Sequence, residues 1–335
     1  RLLEKHGGFF LADVVGLGKT IVAILIAKKF YFHNGFPEHR SNTLIVVPPA
    51  MEDSWRETIH AFRLDNTEII TNGSLHKVRR PERFDLIIVD EAHKFRNDTA
   101  DAFDELQRIC KSPTQRHLPD GSRAAKKVIL VSATPLNNRP DDIRNLLSLF
   151  QDLKDSTLSV ANLQRFFAKY EKDYRQAHQQ SDVEEARKQV KAIYELIRTK
   201  VISEVIVRRT RTDLVAHEDY KQDLDSQGVI FPKIERPRKI LYQLAPALEE
   251  LYDRTVALLS DPHGLTYNRY RAIGFLKPDK KRKYANADRI SAQLATIMRT
   301  LLIKRLDSSF FAFKQSLGRF RDATGVMREM FAKGT

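Results

Sequence analysis

The chain has 335 residues, a formal net charge of +14 and one cysteine, and 42% of its residues are hydrophobic. A single cysteine excludes a disulfide framework or a thiolate zinc site built within this chain, and it is typical of the reducing cytosol. No apolar run approaches the ~20 residues of a membrane span and no signal peptide is visible, so we expect a cytoplasmic protein without a membrane partner. The positive charge favours a polyanionic partner, although a generic basic surface produces the same excess.

A short apolar segment, a glycine-rich loop and a second apolar run open the chain. Residues 7–12 predict a strand, residues 13–20 a loop, and residues 21–27 a buried helix. A strand, a glycine-rich turn and a helix N-terminus together form an anion site. Asp13 stands where the general pattern has its first glycine, so a glycine-rich turn before an ordinary helix is the alternative at this point.

The residue types of this loop suit phosphate binding. Gly16 and Gly18 allow the backbone to turn tightly and to point its N–H groups inward. Lys19 can reach the β- and γ-phosphates, and the Thr20 hydroxyl can ligate Mg²⁺. The loop therefore predicts a bound nucleoside triphosphate.

Three further apolar runs, at residues 43–47, 86–89 and 128–131, predict strands of a parallel sheet with crossover helices. The second run ends in two carboxylates, Asp90 and Glu91. Asp90 can hold Mg²⁺, usually through water, and Glu91 can position and polarise an attacking water, as phosphoryl transfer requires. An Asp-Glu pair after a strand is usually only a solvated loop, but this pair lies downstream of a phosphate loop at the carboxyl edge of the predicted sheet.

Polar residues follow the last of these strands. Ser132 and Thr134 can link the nucleotide site to whatever lies on top of the sheet. His93, two residues after Glu91, is interpreted as a coupling residue, because the ten histidines show no pair at metal-ligand spacing next to acids. Residues 112–127, with prolines and a glycine among basic side chains, predict an exposed loop.

From about residue 151 to residue 230 the pattern becomes helical. Residues 181–184 have the spacing of a capping box that begins at Ser181. Apolar residues then recur at three- and four-residue steps, which predicts a helix with one apolar face, and packing alone explains such a face. This apolar face consists of Val183, Ala186, Val190, Ile193, Ile197 and Val201.

A different pattern begins at about residue 231. Residues 238–244 predict a strand, and residues 247–259 and 290–306 predict helices. Between the helices, residues 262–283 mix basic and aromatic side chains. This mixture suits a phosphate backbone with occasional base stacking, and it suits a solvated loop equally well.

The loop at 13–20, the Asp-Glu-Ala-His sequence at 90–93 and the Ser-Ala-Thr-Pro-Leu-Asn-Asn sequence at 132–138, in this order, resemble the nucleotide-site motifs of superfamily-two helicases. The Leu-Gly-Lys-Thr and Thr-Pro-Leu-Asn-Asn forms resemble the Swi/Snf-type DNA translocases in particular. Val14-Val15 departs from the Glu-Met that is usual in that family. These two side chains flank the loop and do not ligate phosphate, so the departure does not indicate an inactive site.

Four further segments are similar to the same family. Residues 43–50, followed by Trp55, resemble motif Ia, whose loop touches the nucleic-acid backbone, and residues 70–74 lie where motif Ib is expected. Residues 207–211 resemble the basic signature that closes the first lobe, and residues 231–235 resemble the crossing into the second lobe. The Phe-Pro-Lys-Ile-Glu form of residues 231–235 favours a bacterial member of the family.

The resemblance implies an α/β fold in three parts. A RecA-like P-loop lobe with a parallel sheet occupies residues 1–150, a helical insertion that closes this lobe occupies residues 151–230, and the truncated helical start of a second lobe occupies residues 231–335. ATP and Mg²⁺ are the implied cofactors. The implied partners are double-stranded DNA and a second RecA-like lobe in the rest of the same polypeptide, with the protein a monomer.

The resemblance also implies a set of site residues. These are Lys19, Asp90 and Glu91 for catalysis; Asp13, Gly16, Leu17, Gly18, Lys19 and Thr20 for the nucleotide; Thr20 and Asp90 for the metal; His93, Ser132 and Thr134 for coupling; and Pro48, Pro49, Asn72 and Gly73 for nucleic acid. Lys280, Lys281 and Lys283 are predicted to bind nucleic acid from the basic and aromatic composition of their segment, not from the resemblance.

The implied function is an ATP-dependent, DNA-stimulated translocase that moves along double-stranded DNA. One alternative is a strand-separating DNA or RNA helicase, which the Asp-Glu-Ala-His form permits and the Thr-Pro-Leu-Asn-Asn form argues against. The other is a nucleic-acid-binding module with weak ATPase activity, against which the intact Lys19, Thr20, Asp90 and Glu91 argue. A bacterial translocase would be nucleoid-associated and would serve DNA repair, restriction or phage defence.

The sequence also leads us to expect a fragment of a longer ATPase. The family's second lobe carries an arginine-rich motif, of which residues 315–321 are only a partial echo, and the upstream glutamine motif that reads adenine is missing. Arginine fingers are worth roughly 10³–10⁵ in rate, so we expect the 335 residues alone to be nearly inactive.

Overall fold

A computed structural model describes residues 1–36, 38–96, 101–133, 139–180, 182–232, 235–238, 243–261 and 287–333. The chain divides into two compact units, Arg1–Lys233 and Ile234–Thr335. Within the described ranges, no helix has both the length and the apolar character needed to cross a bilayer.

The first unit is built on a six-stranded, fully parallel sheet with the order β3-β2-β4-β5-β1-β6. Its strands are β1 (Gly8–Leu11), β2 (Thr43–Val47), β3 (Thr67–Thr71), β4 (Leu86–Val89), β5 (Lys127–Val131) and β6 (Ile206–Val207). The strands β1, β2, β4 and β5, which the sequence predicted, are the four central ones. They are buried along almost their whole length because helices cover both faces of the sheet, as parallel sheets require.

The two edge strands were not predicted as strands. β3 is only half-buried and carries the exposed Glu68, so it shows no continuous apolar run. β6 has two residues and lies inside the stretch 151–230, which the sequence predicted as helical. Its pairing with β1 at Phe10 and Leu11 shows that the helical stretch also completes the sheet.

The helices of the first unit are α1 (Leu2–His6), α2 (Lys19–Phe32), α3 (Glu52–Ala61), α4 (Asp101–Lys111), α5 (Pro140–Ser148), α6 (Leu163–His178), α7 (Val183–Lys200), α8 (Arg211–Ala216) and α9 (Glu218–Ser226). Short 3₁₀ turns follow β2 at Pro49–Met51, β3 at Asn72–Lys77 and β4 at Ala92–Phe95.

Alternate residues of each strand point to opposite faces and form two apolar cores. On one face, Phe9 and Leu11 of β1 pack with the buried residues of α2 and with Trp55 of α3. On the other face, Phe10 packs with α4, α5 and the buried side of α6 and α7, including Phe167. The helical stretch after residue 150 is therefore part of the core that supports the sheet.

Helix α7 forms where the sequence predicted it, but it begins differently. Asp182 is its N-cap and accepts hydrogen bonds from the backbone N–H groups of Glu184 and Glu185, at 2.9 and 3.2 Å, whereas the predicted cap Ser181 lies outside the described residues. The predicted apolar face is buried only toward the C-terminal end. From Ile193 onward this face packs into the core, whereas Val183, at the start of the helix, is 77% exposed.

The second unit contains three helices, α10 (Pro246–Ser260), α11 (Ala287–Ser308) and α12 (Phe310–Lys333), within its described residues. Leu259, Leu302, Leu306 and Phe313 form a small apolar core between them. Both helices that the sequence predicted here are present. The predicted strand at 238–244 falls mostly on residues outside those described, as does the basic and aromatic segment at 262–283.

Candidate nucleotide site

The glycine-rich loop connects the end of β1 to the start of α2. Gly16 and Gly18 have φ angles of 89° and 69°, in the left-handed region that only glycine adopts without strain. Helix α2 begins at Lys19, and no side chain caps its N-terminus. Its first N–H groups and its positive dipole end can therefore serve an anion, as a phosphate loop requires.

The sequence predicted phosphate and metal binding for two residues of this loop, Lys19 and Thr20. Lys19 is half-buried, and its Nζ donates to the carbonyl oxygen of Asp13 at 3.0 Å, which folds the lysine back over the loop. Thr20 is also half-buried and lies in the first turn of α2. Both side chains lie within one turn of the anion-binding end of the helix.

Asp13 anchors the loop to a segment almost two hundred residues away. Its side chain is fully buried, and the carboxylate accepts from the backbone N–H and Nε of Arg209, at 2.8 and 3.2 Å, and from the Arg209 Nη2. Hydrogen bonding to this carboxylate raises the pKa of the Arg209 guanidinium. Because the Asp13 side chain is fully buried and its carboxylate forms an ion pair with the Arg209 guanidinium, we assign Asp13 to positioning of the loop rather than to direct contact with a nucleotide.

Arg211 contacts the same loop from the same segment. Its Nη2 donates to the Val15 carbonyl oxygen at 3.3 Å. The sequence identified residues 207–211 as a basic signature but not what they bind. The local spacing could not have shown that this signature contacts the phosphate loop, because 196 residues separate Arg209 from Asp13 and Arg211 from Val15.

The acidic pair lies at the end of β4. Asp90 is 9% exposed, its Oδ1 accepts from the backbone N–H of Glu91 at 2.9 Å, and its Oδ2 accepts from the Trp55 indole Nε1 at 2.8 Å. Burial raises the pKa of the Asp90 carboxyl. Glu91 is half-exposed and has a φ of 49°, a left-handed conformation that costs a residue with a side chain about 1 kcal/mol or more and that is concentrated at functional sites.

His93 lies between the acidic pair and the end of β5. Its Nδ1 is 3.1 Å from Glu91 Oε2 and 3.3 Å from Ser132 Oγ. Ser132 is buried, and its backbone N–H donates to the Leu11 carbonyl oxygen of β1 at 3.1 Å. The predicted coupling residues His93 and Ser132 are therefore in contact, whereas Thr134 lies outside the described residues.

The strand order places these groups together. β5 lies between β1 and β4, so the carboxyl ends that carry the phosphate loop, Ser132 and the acidic pair are three consecutive positions along one edge of the sheet. Carboxylate and hydroxyl oxygens are the ligands that Mg²⁺ prefers, and it usually takes only one or two protein ligands beside substrate phosphates. Asp90 and Thr20 fit this requirement. Within the described ranges, no group of three or more His, Cys, Asp or Glu side chains could hold a metal ion, at this edge or at any other place.

The predicted nucleic-acid residues of this unit lie at the same edge, after β2 and β3. Pro49 and Gly73 are exposed and Asn72 is half-buried, but Pro48 is buried and its ring does not face solvent. The predicted Lys280, Lys281 and Lys283 lie outside the described residues.

Sequence reasoning missed an adjacent basic run. His76, Lys77, Arg79 and Arg80 are all exposed and begin within the 3₁₀ turn that follows β3. Four basic side chains within the five residues 76–80, directly after the motif Ib position, were the signal available in the sequence.

A parallel sheet with a phosphate loop after its first strand and an acidic pair at the same edge defines the class of P-loop nucleotide-binding proteins. Comparison with known families narrows this class. Residues 68–235 match the model of the SNF2-related domain, and the chain belongs to that family. The match includes the acidic pair, Ser132 and the basic signature, while the phosphate loop precedes it.

Individual relatives agree with this assignment. The chain is 30% identical over 200 residues, 53% of its length, to an uncharacterized ATP-dependent helicase, YqhH, of Bacillus subtilis, and covers 32% of that protein. It is 22% identical over 292 residues, 78% of its length, to the DNA annealing helicase and endonuclease ZRANB3 of Bos taurus, and covers 24% of it. The chain thus spans about a third or less of these relatives.

A solved structure gives a further likeness. The Sulfolobus solfataricus SWI2/SNF2 ATPase core in complex with double-stranded DNA aligns with 98% of this chain, which covers 61% of that chain, at 19% identity and a TM-score of 0.43.

Proposed function

We propose that this chain is the ATP-hydrolysing part of a DNA translocase that moves along double-stranded DNA. The observation that carries the proposal is the gathering of the phosphate loop, the Asp90–Glu91 pair and Ser132 at three consecutive strand ends in a member of the SNF2-related family. The name of YqhH, an ATP-dependent helicase, supports the use of ATP.

Each residue has a defined task in this proposal. Lys19 and the N–H groups of the loop bind the β- and γ-phosphates, and Asp90 with Thr20 would hold Mg²⁺. The ion neutralises charge on the phosphates when bound. Glu91 orients the attacking water, and His93 joins Glu91 to Ser132, so that a change at the end of β5 reaches the water-handling residue.

The partner follows from charge and from the position of the exposed edge. Pro49, Gly73 and the basic run at 76–80 lie at the carboxyl ends of β2 and β3, beside the nucleotide site. Such a surface suits a phosphate backbone and carries little sequence information. The name of ZRANB3 supports DNA rather than RNA. A second lobe in the same polypeptide, a monomeric state, and a cytoplasmic, nucleoid-associated location in a bacterial cell complete the proposal.

The test is ATP hydrolysis by the full-length protein with different nucleic acids. We expect stimulation by duplex DNA, and we expect Lys19→Ala to abolish it, because Lys19 is the positive charge that the loop itself supplies to the phosphates, whereas Arg209 and Arg211 are held by Asp13 and by the Val15 carbonyl oxygen. Equal or greater stimulation by single-stranded RNA would favour a strand-separating helicase. Stimulation that survives Lys19→Ala would remove the phosphate loop from the mechanism.

A further inference from the structure

Trp55 follows the segment that resembles the nucleic-acid motif Ia, yet its side chain contacts the acidic pair of the nucleotide site. Its side chain is fully buried in the apolar core beneath the sheet, among residues such as Leu11, Ile45 and Ile88. Its Nε1 nevertheless donates to Asp90 Oδ2 at 2.8 Å, at the edge of that core. A buried indole N–H usually finds a partner, but here the partner is the carboxylate assigned to the metal.

The β2–α3 segment holds Asp90 at two points. The backbone N–H of Asp90 donates to the Val46 carbonyl oxygen at 2.8 Å, and the side chain accepts from Trp55, which lies in the first turn of α3. Between these two contacts the chain passes through the turn Pro49–Met51, whose residues are all exposed. Three residues at the start of α3 therefore separate the exposed turn, which is proposed to face DNA, from Trp55, which contacts the carboxylate proposed to hold Mg²⁺.

We propose that Trp55 is a positioning residue that holds the Asp90 carboxylate in its metal-binding orientation and links it to the exposed Pro49–Met51 turn. This inference rests on the proposed function. A carboxylate with a fixed rotamer binds a cation more tightly than a free one, and loss of such a supporting hydrogen bond typically costs 10- to 100-fold in metal affinity. A shift of the turn on DNA binding would move the indole and so change the affinity of Asp90 for Mg²⁺. By linkage, bound Mg²⁺ would change the affinity for DNA by the same factor.

The Trp55 hydrogen bond can be tested at the level of one atom. Incorporation of 3-benzothienylalanine at an amber codon placed at position 55 changes this residue alone and removes only the N–H group, because sulfur takes the place of nitrogen. Incorporation of 4-fluorotryptophan at the same codon alters the ring but keeps the N–H group, and it provides the matched control. The full-length protein is used in each case.

The measured quantity is the Mg²⁺ concentration at which a fluorescent ADP analogue is half-bound, with and without duplex DNA. We expect the benzothienylalanine protein to need about 10-fold more Mg²⁺ than the wild type, with unchanged affinity for the nucleotide in the absence of Mg²⁺. We expect duplex DNA to lower the Mg²⁺ requirement of the wild type and of the fluorotryptophan protein, and not that of the benzothienylalanine protein.

Genetic variants repeat the test in a second form. Trp55→Phe removes the N–H group and part of the ring, whereas Leu64→Val removes one carbon from the same apolar core and leaves the hydrogen bond intact. Only Trp55→Phe should raise the Mg²⁺ requirement. A fall in melting temperature that both variants share reports the loss of packing, and it does not bear on the Mg²⁺ requirement.

Two results would overturn the inference. An unchanged Mg²⁺ requirement in the benzothienylalanine protein would show that the hydrogen bond merely satisfies a buried indole. A DNA effect that survives loss of the N–H group would refute the link to the turn. Failure of the proposed function is a separate outcome, because it would appear as wild-type protein without DNA-stimulated ATP hydrolysis.

Discussion

Glu91 combines an unusual backbone with a charged neighbour. Its φ of 49° places the residue after Asp90 in a conformation that turns the chain sharply at the strand end, and its carboxylate meets His93 Nδ1 at 3.1 Å. A strained residue persists only where its surroundings fix it, and such residues are concentrated at functional sites. The local geometry thus supports a task for Glu91 that differs from that of the buried Asp90 beside it.

We therefore expect Glu91→Gln to separate nucleotide binding from hydrolysis. The amide keeps the size of the side chain but cannot take up a proton from water, so ATP should bind with near wild-type affinity while turnover falls at least 100-fold. Equilibrium binding of a fluorescent ATP analogue and steady-state phosphate release measure the two properties. Normal turnover in this variant would remove Glu91 from the water-handling role.

Lys126 is a residue whose burial has a consequence for stability. It is 4% exposed, and its Nζ donates to the Ser112 carbonyl oxygen, to Ser112 Oγ at 2.6 Å and to the Pro113 carbonyl oxygen at 3.4 Å. Burial lowers the pKa of Lys126 from 10.5 to about 8. Between these two values the unfolded chain binds more protons than the folded one, so this group makes stability rise with pH and imposes its full penalty below about pH 8.

Replacement of Lys126 by methionine should remove this pH dependence. Relative to Lys126→Met, the wild type should gain unfolding free energy on the order of 3 kcal/mol between pH 8 and pH 10.5. Urea unfolding followed by circular dichroism across this range provides the measurement. Lys188, which is exposed on α7, supplies the control, and Lys188→Met should follow the wild-type curve. A curve for Lys126→Met that also parallels the wild type would contradict the burial argument.

At the scale of elements, β1 depends on a close approach to its neighbours. A Cβ atom added at Gly8 would lie 2.5 Å from Phe150 Cγ and 2.6 Å from the Val128 carbonyl oxygen of β5. The backbone oxygen cannot move without disturbing the β1–β5 ladder, where Gly8 pairs with Val128. The strand that leads into the phosphate loop is therefore packed without spare room.

We expect Gly8→Ala to destabilise the first unit by about 1–3 kcal/mol, the usual cost of overpacking. Chemical denaturation followed by circular dichroism is the appropriate measurement. Gly73→Ala is a matched control, because an added Cβ there meets nothing within 4 Å. A loss of equal size in the two variants would show that the close approach at Gly8 does not determine the effect.

The turn after β3 is the element on which DNA binding can be tested within the described residues. Charge reversal at Lys77, Arg79 and Arg80 should weaken binding to duplex DNA and reduce its salt slope by roughly 0.9 for each lost phosphate contact. The same reversal at Arg187, Lys188 and Lys191 of α7 changes net charge equally, away from the proposed surface. Equal losses of DNA affinity in both triple variants would show that net charge, and not contacts of this turn, causes the effect.

At the scale of the whole molecule, 57 basic residues against 43 acidic ones give an excess of positive charge. We expect DNA stimulation of ATP hydrolysis to fall steeply between about 50 and 200 mM salt, because bound phosphates release counterions. Two duplexes of unrelated sequence should give the same stimulation, since backbone contacts do not read bases. A strong preference for one duplex would indicate direct contacts with base edges.

The sequence alone determined the central strands, the phosphate loop and the acidic pair. These features are local: a run of buried β-branched residues needs no partner to be recognised, and the spacing of Gly16, Gly18 and Lys19 is fixed by the phosphate that the loop surrounds. The same reasoning failed at β3 and β6, since an edge strand is buried on fewer sides and lacks a continuous apolar run. It also overextended the buried face of α7 to Val183.

Only the tertiary structure decided which distant residues complete the site. Strand order set β5 between β1 and β4 and so joined His93 to Ser132, and the short β6 brought Arg209 to Asp13 across 196 residues. Trp55 and Asp90 meet for the same reason, since β2 and β4 are neighbours in the sheet but not in the chain. No local pattern encodes these contacts, because each arises from packing of elements whose sequences carry no information about their separation.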